Sequence, residues 1–235
     1  MKTGKLYLFP VPLSEGELSG VLPSMNIELI RPICHFIVEN IRSARRFLKK
    51  CDRNIDIDSL TFYELNRHTK VEEIDSYILP LVEGNDMGVI SEAGCPAIAD
   101  PGADVVAIAQ RKGIQVVPLV GPSSIIMSMM ASGFNGQSFA FLGYLPIDVT
   151  ERARKFKSME NLIFRESQTQ IFIETPYRNN KLIAEMAKTL PGKIKLCVAS
   201  DITGENESII TRPLSEWAKA KYNYDKIPTI FLLYK

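Results

Sequence analysis

The sequence predicts an α/β protein with two α/β domains. The N-terminal domain is expected to hold a mostly parallel sheet with flanking helices, because short apolar runs alternate there with helical patterns. The C-terminal domain is expected to hold a smaller, mixed sheet. Two strand patterns near residues 194–211 are separated only by a loop, which indicates an antiparallel pair. We assign residues 1–120 and 121–235 to the two domains.

In the N-terminal half, apolar runs that end in proline, glycine or polar residues predict five strands. These cover residues 5–9, 33–38, 60–65, 88–91 and 114–120. Capping residues and helical spacing of apolar side chains predict the helices between them. The helices cover residues 14–22, 41–51 with Asn40 as the cap, 72–83, 103–111 and 122–131, where Pro122 occupies the first helical position.

In the C-terminal half, the same signals predict five strands and three helices. The strands cover residues 139–144, 170–174, 194–200, 207–211 and 228–234. The helices cover residues 150–161, 177–190 and 213–219, and the first of them is rich in charged residues. This order departs from strict β-α alternation and therefore predicts a mixed sheet.

Composition limits the possible functions. The net charge of +1 predicts no broad basic surface, so any nucleic-acid contact must come from a local patch. The four cysteines are far apart in sequence and only two histidines accompany them, which argues against a metal site and a disulfide framework. We find no signal peptide and no run of ~20 apolar residues that could span a membrane. We therefore expect a cytoplasmic protein without metal.

The loop at residues 91–102 is the clearest sign of a binding site. It follows a short apolar strand, contains Gly94, Pro96, Pro101 and Gly102, and precedes a helical pattern. In open α/β sheets, ligands bind beside the carboxyl ends of the strands, where such loops lie. The loop exceeds the ~2–6 residues usual for a strand-to-helix connection. An ordinary connection remains the alternative from periodicity alone.

Several segments, in order along nearly the whole chain, carry a family resemblance. They are Gly4-Lys5-Leu6-Tyr7-Leu8, Glu39-Asn40-Ile41-Arg42, Glu64-Leu65-Asn66, the loop 91–102, residues 117–123, Gly143-Tyr144-Leu145-Pro146, residues 172–178 and Asp201-Ile202-Thr203. With them the chain resembles the tetrapyrrole methylase superfamily of S-adenosylmethionine-dependent methyltransferases. Within that superfamily it is most similar to the bacterial branch that 2′-O-methylates a cytidine of small-subunit ribosomal RNA.

The resemblance implies S-adenosylmethionine as cofactor, bound between two α/β domains of a homodimeric enzyme. It assigns one group of cofactor contacts to the N-terminal segments: Pro10, Glu92, Ala93, Gly94, Cys95, Ile98, Ser123 and Ser124. It assigns a second group, around the adenine, to the C-terminal domain: Leu142, Thr175, Ala199, Pro228 and Thr229. The chain has no GxGxxG fingerprint, and this superfamily does not use one.

On the substrate side the resemblance implies an RNA acceptor from the small ribosomal subunit. A ribose hydroxyl needs a base or a charged group beside it. Glu39, Arg42, Glu64, Asn66, Glu174, Arg178 and Asp201 occupy family positions around the cleft. From these we select Arg42, Glu64 and Asp201 as the catalytic residues, with Arg42 holding an anionic group of the acceptor.

The substrate side also departs from the family pattern. Asn40 and Ile41 stand where relatives carry an acidic residue and threonine, Tyr177 where they carry histidine, and Ser200 and Gly204 where basic residues are expected. Three alternatives therefore stay open. The chain could methylate a small tetrapyrrole-like substrate, or bind the cofactor with impaired catalysis. Outside the family, it could be a doubly wound nucleotide-binding protein, although it lacks a glycine-rich phosphate loop.

Overall fold

The chain forms two α/β units, Met1–Ser123 and Ser124–Lys235. The structure is a computed structural model, and it describes residues 3–66 and 69–235. Each unit is built on its own five-stranded sheet. The two α/β units and the kinds of sheet that they contain confirm the predicted fold class. The second sheet is, however, not smaller than the first, because each has five strands.

The first sheet is parallel throughout. Its strands are β1 (Leu6–Phe9), β2 (His35–Val38), β3 (Thr61–Glu64), β4 (Met87–Ile90) and β5 (Val116–Pro118). They lie in the order β3-β2-β4-β1-β5, and all four neighbouring pairs are parallel. Buried parallel strands are nearly continuous apolar runs, and all four residues of β4 are buried.

Helices cover both faces of this sheet. Its helices are α1 (Ser24–Ile30), α2 (Ile41–Cys51), α3 (Val71–Tyr77), α4 (Leu79–Val82) and α5 (Gly102–Arg111). Side chains alternate between the faces along each strand. Phe36 and Val38 of β2 therefore pack with α1 and α2, whereas Ile37 packs with α3, α4 and α5.

The prediction of a helix at residues 14–22 is wrong. Only a short 3-10 turn, Leu18–Gly20, forms there, and the α-helix α1 starts later, directly after Pro23. Leu18 and Leu22 are buried as the pattern indicated. However, Gly16 adopts a φ of +150°, which is incompatible with a continuous helix. The chain therefore buries these leucines from an irregular loop.

Other helix boundaries also differ from the prediction. The segment 72–83 contains two helices, α3 and α4, because Ile78 between them has a non-helical ψ of 7° and Pro80 cannot donate a backbone hydrogen bond. The helix expected from Pro122 begins at Ser124, and we name it α6 (Ser124–Ser132). The Pro122 carbonyl instead accepts the thiol of Cys95, which ties Pro122 to the loop 91–101.

The second sheet is mixed. Its strands are β6 (Phe139–Tyr144), β7 (Thr169–Ile173), β8 (Lys195–Ser200), β9 (Ser208–Pro213) and β10 (Thr229–Tyr234), in the order β6-β7-β10-β8-β9. Only β6 and β7 pair in parallel. The antiparallel pairing of β8 with β9 confirms the prediction for residues 194–211.

The core of the second unit lies between this sheet and the helices α7 (Val149–Glu166), α8 (Asn179–Thr189) and α9 (Leu214–Trp217). Phe156, Ile183 and Trp217 of these helices are almost completely buried. Helix α6 packs against β9 and β10. Within the described residues, no helix combines the length and apolar character that a membrane crossing requires.

Candidate functional site

Each sheet has one edge where functional residues collect. In the first unit, parallel pairing brings the carboxyl ends of all five strands to one edge, which we call the first carboxyl edge. In the second unit, β6, β7 and β8 end where β9 and β10 begin, and we call this the second carboxyl edge. Loops beside such strand ends are the usual ligand sites of α/β sheets.

At the first carboxyl edge, the loop 91–101 is fixed to the end of β1. Val11 and Gly94 exchange two backbone hydrogen bonds, each 2.9 Å between nitrogen and oxygen. The thiol of Cys95 lies 3.4 Å from the carbonyl oxygen of Pro122. A Cβ on Gly121 would collide with the ring of Pro10. The structure thus brings together Pro10, Gly94 and Cys95 of the predicted cofactor site.

Backbone conformation makes glycine necessary at position 94. Its φ is +72°, in the left-handed region that side chains disfavour. An added Cβ would lie 3.3 Å from a methyl of Leu13 and 3.6 Å from the carbonyl oxygen of Pro122. Beside it, burial raises the pKa of the Cys95 thiol, so the thiol stays protonated at neutral pH and is a poor nucleophile.

Asp100 holds the other half of the loop. Its carboxylate accepts the backbone N–H of Ala97 at 3.0 Å and that of Gly102 at 2.7 Å. Ala97 and Ala99 adopt φ values of 65° and 62°, and such left-handed alanines persist only where surrounding contacts hold them. Burial raises the pKa of Asp100, although its two backbone hydrogen bonds act in the opposite direction.

A small pocket opens beside Asp100 between the ends of β2 and β4. Glu39, Ser91 and Asp100 contribute its polar walls, and apolar residues such as Ile37 and Val89 contribute the rest. Our prediction of cofactor contacts did not include Ser91 or Asp100. The Asp-Pro-Gly sequence before α5 is the signal for Asp100, because an aspartate there commonly accepts the N–H two residues later.

Glu92 connects this loop to α2, the helix that carries Arg42. The hydroxyl of Ser43 donates to the Glu92 carboxylate at 3.0 Å, and the Asn40 side chain caps the helix by accepting the Ser43 N–H at 3.1 Å. Arg42 precedes Ser43 and is exposed. Its side chain makes no hydrogen bond or ion pair with the residues that the structure describes. The predicted Arg42 thus lies one residue from a direct contact with the predicted cofactor loop.

The remaining predicted residues of the first unit, with Ser124, are more exposed or peripheral. Glu64 is the exposed last residue of the edge strand β3, and its backbone carbonyl accepts the Tyr77 hydroxyl at 3.1 Å. Ala93 and Ile98 are exposed on the loop. Ser124 is the first residue of α6 and Ser123 directly precedes it. The start of a helix leaves backbone N–H groups available for hydrogen bonding.

At the second carboxyl edge, an ion pair with a buried carboxylate follows β7. The Glu174 side chain is 4% exposed, and it pairs with Arg178 at 2.6 Å. The same carboxylate accepts the backbone N–H of Thr175 at 2.6 Å. Removing the Arg178 charge would leave the buried Glu174 carboxylate without its cationic partner. The pair therefore fixes the conformation of Thr175.

Asp201 organises the turn after β8. It adopts a φ of 48°, and its carboxylate accepts the backbone N–H of Asn206 at 3.0 Å. Any Cβ on Gly204 would collide with this carboxylate. The glycine that stands in place of an expected basic residue is therefore a steric requirement of this turn. The backbone N–H of Asp201 also donates to the carbonyl oxygen of Pro228 at 3.0 Å, which brings these two predicted residues together.

The other predicted adenine contacts belong to the same edge. Thr229 pairs with Ser200 across the sheet and donates its hydroxyl to the Ile227 carbonyl at 2.9 Å. Ala199 is completely buried in β8, Pro228 is exposed, and Leu142 packs partly buried against the core of the second unit. Leu142 precedes Gly143, where a Cβ would meet no atom within 4 Å.

The charges of the first carboxyl edge indicate which ligands it can accept. Glu39, Glu64, Glu92 and Asp100 all follow or end strands there. The loop 91–102 contains no lysine or arginine. Phosphate groups bind to cations and glycine-rich helix N-termini, so this loop is unsuited to a nucleotide phosphate. It suits a ligand that carries a cationic centre and hydrogen-bonding groups. In the described part of the chain, no three His, Cys, Asp or Glu side chains form a possible metal site.

The chain is similar along most of its length to known methyltransferases. The chain is 31% identical over 232 residues to ribosomal RNA small subunit methyltransferase I of Vibrio cholerae, covering 97% of this chain and 76% of that protein. The protein of the same name from Pseudomonas aeruginosa is 28% identical over 99% of this chain and 79% of its own length. No family model matches the chain.

Solved structures show the same fold at low sequence identity. The methyltransferase CobJ matches with a TM-score of 0.65 and 12% identity, over 100% of this chain and 95% of that one. Uroporphyrin III C-methyl transferase from Thermus thermophilus matches with a TM-score of 0.58 and 17% identity, over 99% and 98%. At these identities the similarity concerns the fold alone.

Proposed function

Because the chain belongs to the family of ribosomal RNA small subunit methyltransferase I, we propose that it transfers a methyl group from S-adenosylmethionine to small-subunit ribosomal RNA. The acceptor that we propose is the 2′-hydroxyl of one nucleotide. The single observation that carries the proposal is the 31% identity to the Vibrio cholerae enzyme along almost the whole chain. Such an acceptor would place the enzyme in the cytoplasm.

The residues of the two carboxyl edges fit the cofactor. When bound, S-adenosylmethionine supplies an activated methyl group on a cationic sulfur, so the transfer depends mainly on alignment. The acidic first carboxyl edge suits that positive charge. We propose that the loop 92–95 and Ser123 hold the methionine and ribose parts. Leu142, Thr175 and Thr229 of the second carboxyl edge would hold the adenine.

For the acceptor, we propose that Arg42 binds an anionic group and that Glu64 orients or deprotonates the hydroxyl. A guanidinium offers a planar pair of donors to phosphate oxygens, and Arg42 is exposed and unpaired within the described residues. Glu64 is a better candidate for the base than Asp201. The Asp201 carboxylate already accepts the Asn206 N–H, whereas the Glu64 side chain is exposed. Asp201 would then position the second carboxyl edge.

A small tetrapyrrole-like acceptor is the second candidate, and the fold similarity to uroporphyrin III C-methyl transferase supports it. We expect the purified protein to transfer labelled methyl groups to small-subunit RNA taken from a strain without the gene. Ribose methylation would appear as a single position resistant to alkaline cleavage. Large-subunit RNA is the control. Transfer to uroporphyrinogen but not to RNA would favour the second candidate, and transfer to neither would leave a cofactor-binding protein.

We further propose that the protein is a homodimer. Several large apolar side chains are exposed in the second unit, among them Met130 at 79% and Ile126 at 48%, four residues apart on α6. Self-complementary apolar surfaces of this kind commonly form two-fold interfaces. Light scattering at tens of micromolar should give about twice the subunit mass of 26.4 kDa. A mass near 26.4 kDa at that concentration would contradict a dimer.

A further inference from the structure

One helix of the first unit carries a concentrated positive charge. Six of the 28 lysines and arginines lie between residues 42 and 53, on α2 and just beyond its end. They are Arg42, Arg45, Arg46, Lys49, Lys50 and Arg53, and all six are exposed. Asp52 is the single acidic residue between positions 42 and 53. The whole chain has a net charge of only +1, so this cluster is a local exception.

Helix geometry places five of these six side chains on one face. At about 100° per residue, the five positions on the helix itself, from Arg42 to Lys50, fall within an arc of roughly 140°. Arg53 follows the extended residue Asp52 just beyond the end of the helix. The apolar residues Ala44, Phe47 and Leu48 point the opposite way and are buried in the core of the first unit. The charged face is therefore held in a fixed orientation. We call the five residues other than Arg42 the basic face of α2.

The basic face is not neutralised within the described part of the chain. Asp52 instead pairs with Arg31 at 2.7 Å, and Glu92 accepts the hydroxyl of Ser43. Lys49 donates to a backbone carbonyl, that of Arg53, at 3.0 Å. Arg45 lies over the ring of Phe62, with 5.5 Å between the guanidinium carbon and the ring centroid, so it keeps its charge.

We propose that the basic face of α2 is a docking surface for the phosphate backbone of the RNA substrate. This inference rests on the proposed function, since that function requires RNA close to Arg42 on the same helix. Residues 42–50 span about 12 Å along the helix, which is enough for about three phosphates of one strand. An anionic membrane is a weaker partner, because the apolar side of α2 is buried and cannot enter a bilayer.

The test is the triple variant Arg46→Gln, Lys50→Gln and Arg53→Gln. These three side chains make no hydrogen bond or ion pair with the described residues, so their loss should leave the fold intact. The matched control is Arg154→Gln, Lys181→Gln and Lys188→Gln. It removes the same charge from exposed positions on α7 and α8. Each protein is measured with a labelled transcript of small-subunit RNA over a range of salt concentrations.

We expect the triple variant to bind the transcript about 10- to 100-fold more weakly at 0.1 M salt, with the slope of log affinity against log salt reduced by about 2. The KM for RNA should rise while kcat and the affinity for S-adenosylmethionine stay unchanged. The control should match the parent. RNA binding by the triple variant within twofold of the parent, or an equal loss in the control, would overturn the proposal.

Two outcomes separate this proposal from the proposed function. A parent protein that binds RNA through this face but methylates none supports the docking surface and contradicts the activity. If the triple variant methylates RNA with the same efficiency as the parent, the activity is supported and the docking surface is overturned. Loss of binding to phosphatidylserine vesicles by the triple variant, with RNA binding unchanged, would identify the face as a membrane contact instead.

Discussion

The variant Gly94→Val is expected to lose S-adenosylmethionine binding by at least 100-fold while remaining folded. Valine at a φ of +72° is strained by about 1–2 kcal/mol. Its side chain would also enter the space beside Leu13 and the Pro122 carbonyl. The loop would relieve both effects by shifting the backbone of residues 92–95 away from Val11. Those are the residues that we propose contact the cofactor, so isothermal titration should detect no binding at micromolar ligand.

Gly113→Val is the matched control for this prediction. Gly113 has a similar φ of +67°, at the end of α5, and a Cβ there would meet no atom within 4 Å. Both variants should therefore lose a similar amount of stability through backbone strain, which thermal unfolding would report. Only Gly94→Val should lose affinity for S-adenosylmethionine. Binding by Gly94→Val within threefold of the parent would exclude the loop 91–101 from the cofactor site.

The first sheet could be predicted from sequence because its strands are short, buried apolar runs between helical patterns. The location of α1 could not, because the spacing of Leu18 and Leu22 fits a helix and an irregular loop equally well. A packed loop can bury the same two side chains, and only its backbone shows which form is present. Hydrophobic periodicity reports burial more reliably than it reports secondary structure.

The candidate site could likewise be predicted only in part from the sequence. Gly94 and the loop around it could be found from glycine, proline and strand signals. Asp100 was not among the predicted contacts, although the Asp-Pro-Gly sequence indicates its hydrogen bond with the Gly102 N–H. Its second hydrogen bond, with the Ala97 N–H, depends on a left-handed conformation that alanine does not signal. Arg152 lies in the helix whose sequence is rich in charged residues, yet it is buried. Its guanidinium binds both Glu185 and the Pro146 carbonyl, which holds the turn after β6. Tertiary contacts of polar side chains have no periodic signature in the sequence.

Arg42→Ala should lower kcat/KM for RNA methylation by about 10- to 100-fold with almost no change in cofactor affinity. One contact that acts only in the transition state contributes at least about 1.4 kcal/mol, which is a factor of ten in rate. Arg42 is exposed and lies next to Ser43, which holds Glu92 of the cofactor loop. Arg42→Lys should recover only part of the rate, because a lysine keeps the charge but lacks the planar pair of donors.

Arg154→Ala is the control, since it removes an exposed arginine from α7. This position is far along the chain from Arg42 and from the basic face of α2. It should leave kcat, KM and cofactor affinity unchanged. The pattern of the Arg42→Ala defect then distinguishes two roles for that side chain. A fall in kcat at saturating RNA identifies a contact made in the transition state. A rise in KM alone would make Arg42 one more cation of the basic face of α2, and equal rates for Arg42→Ala and the parent would remove it from the site.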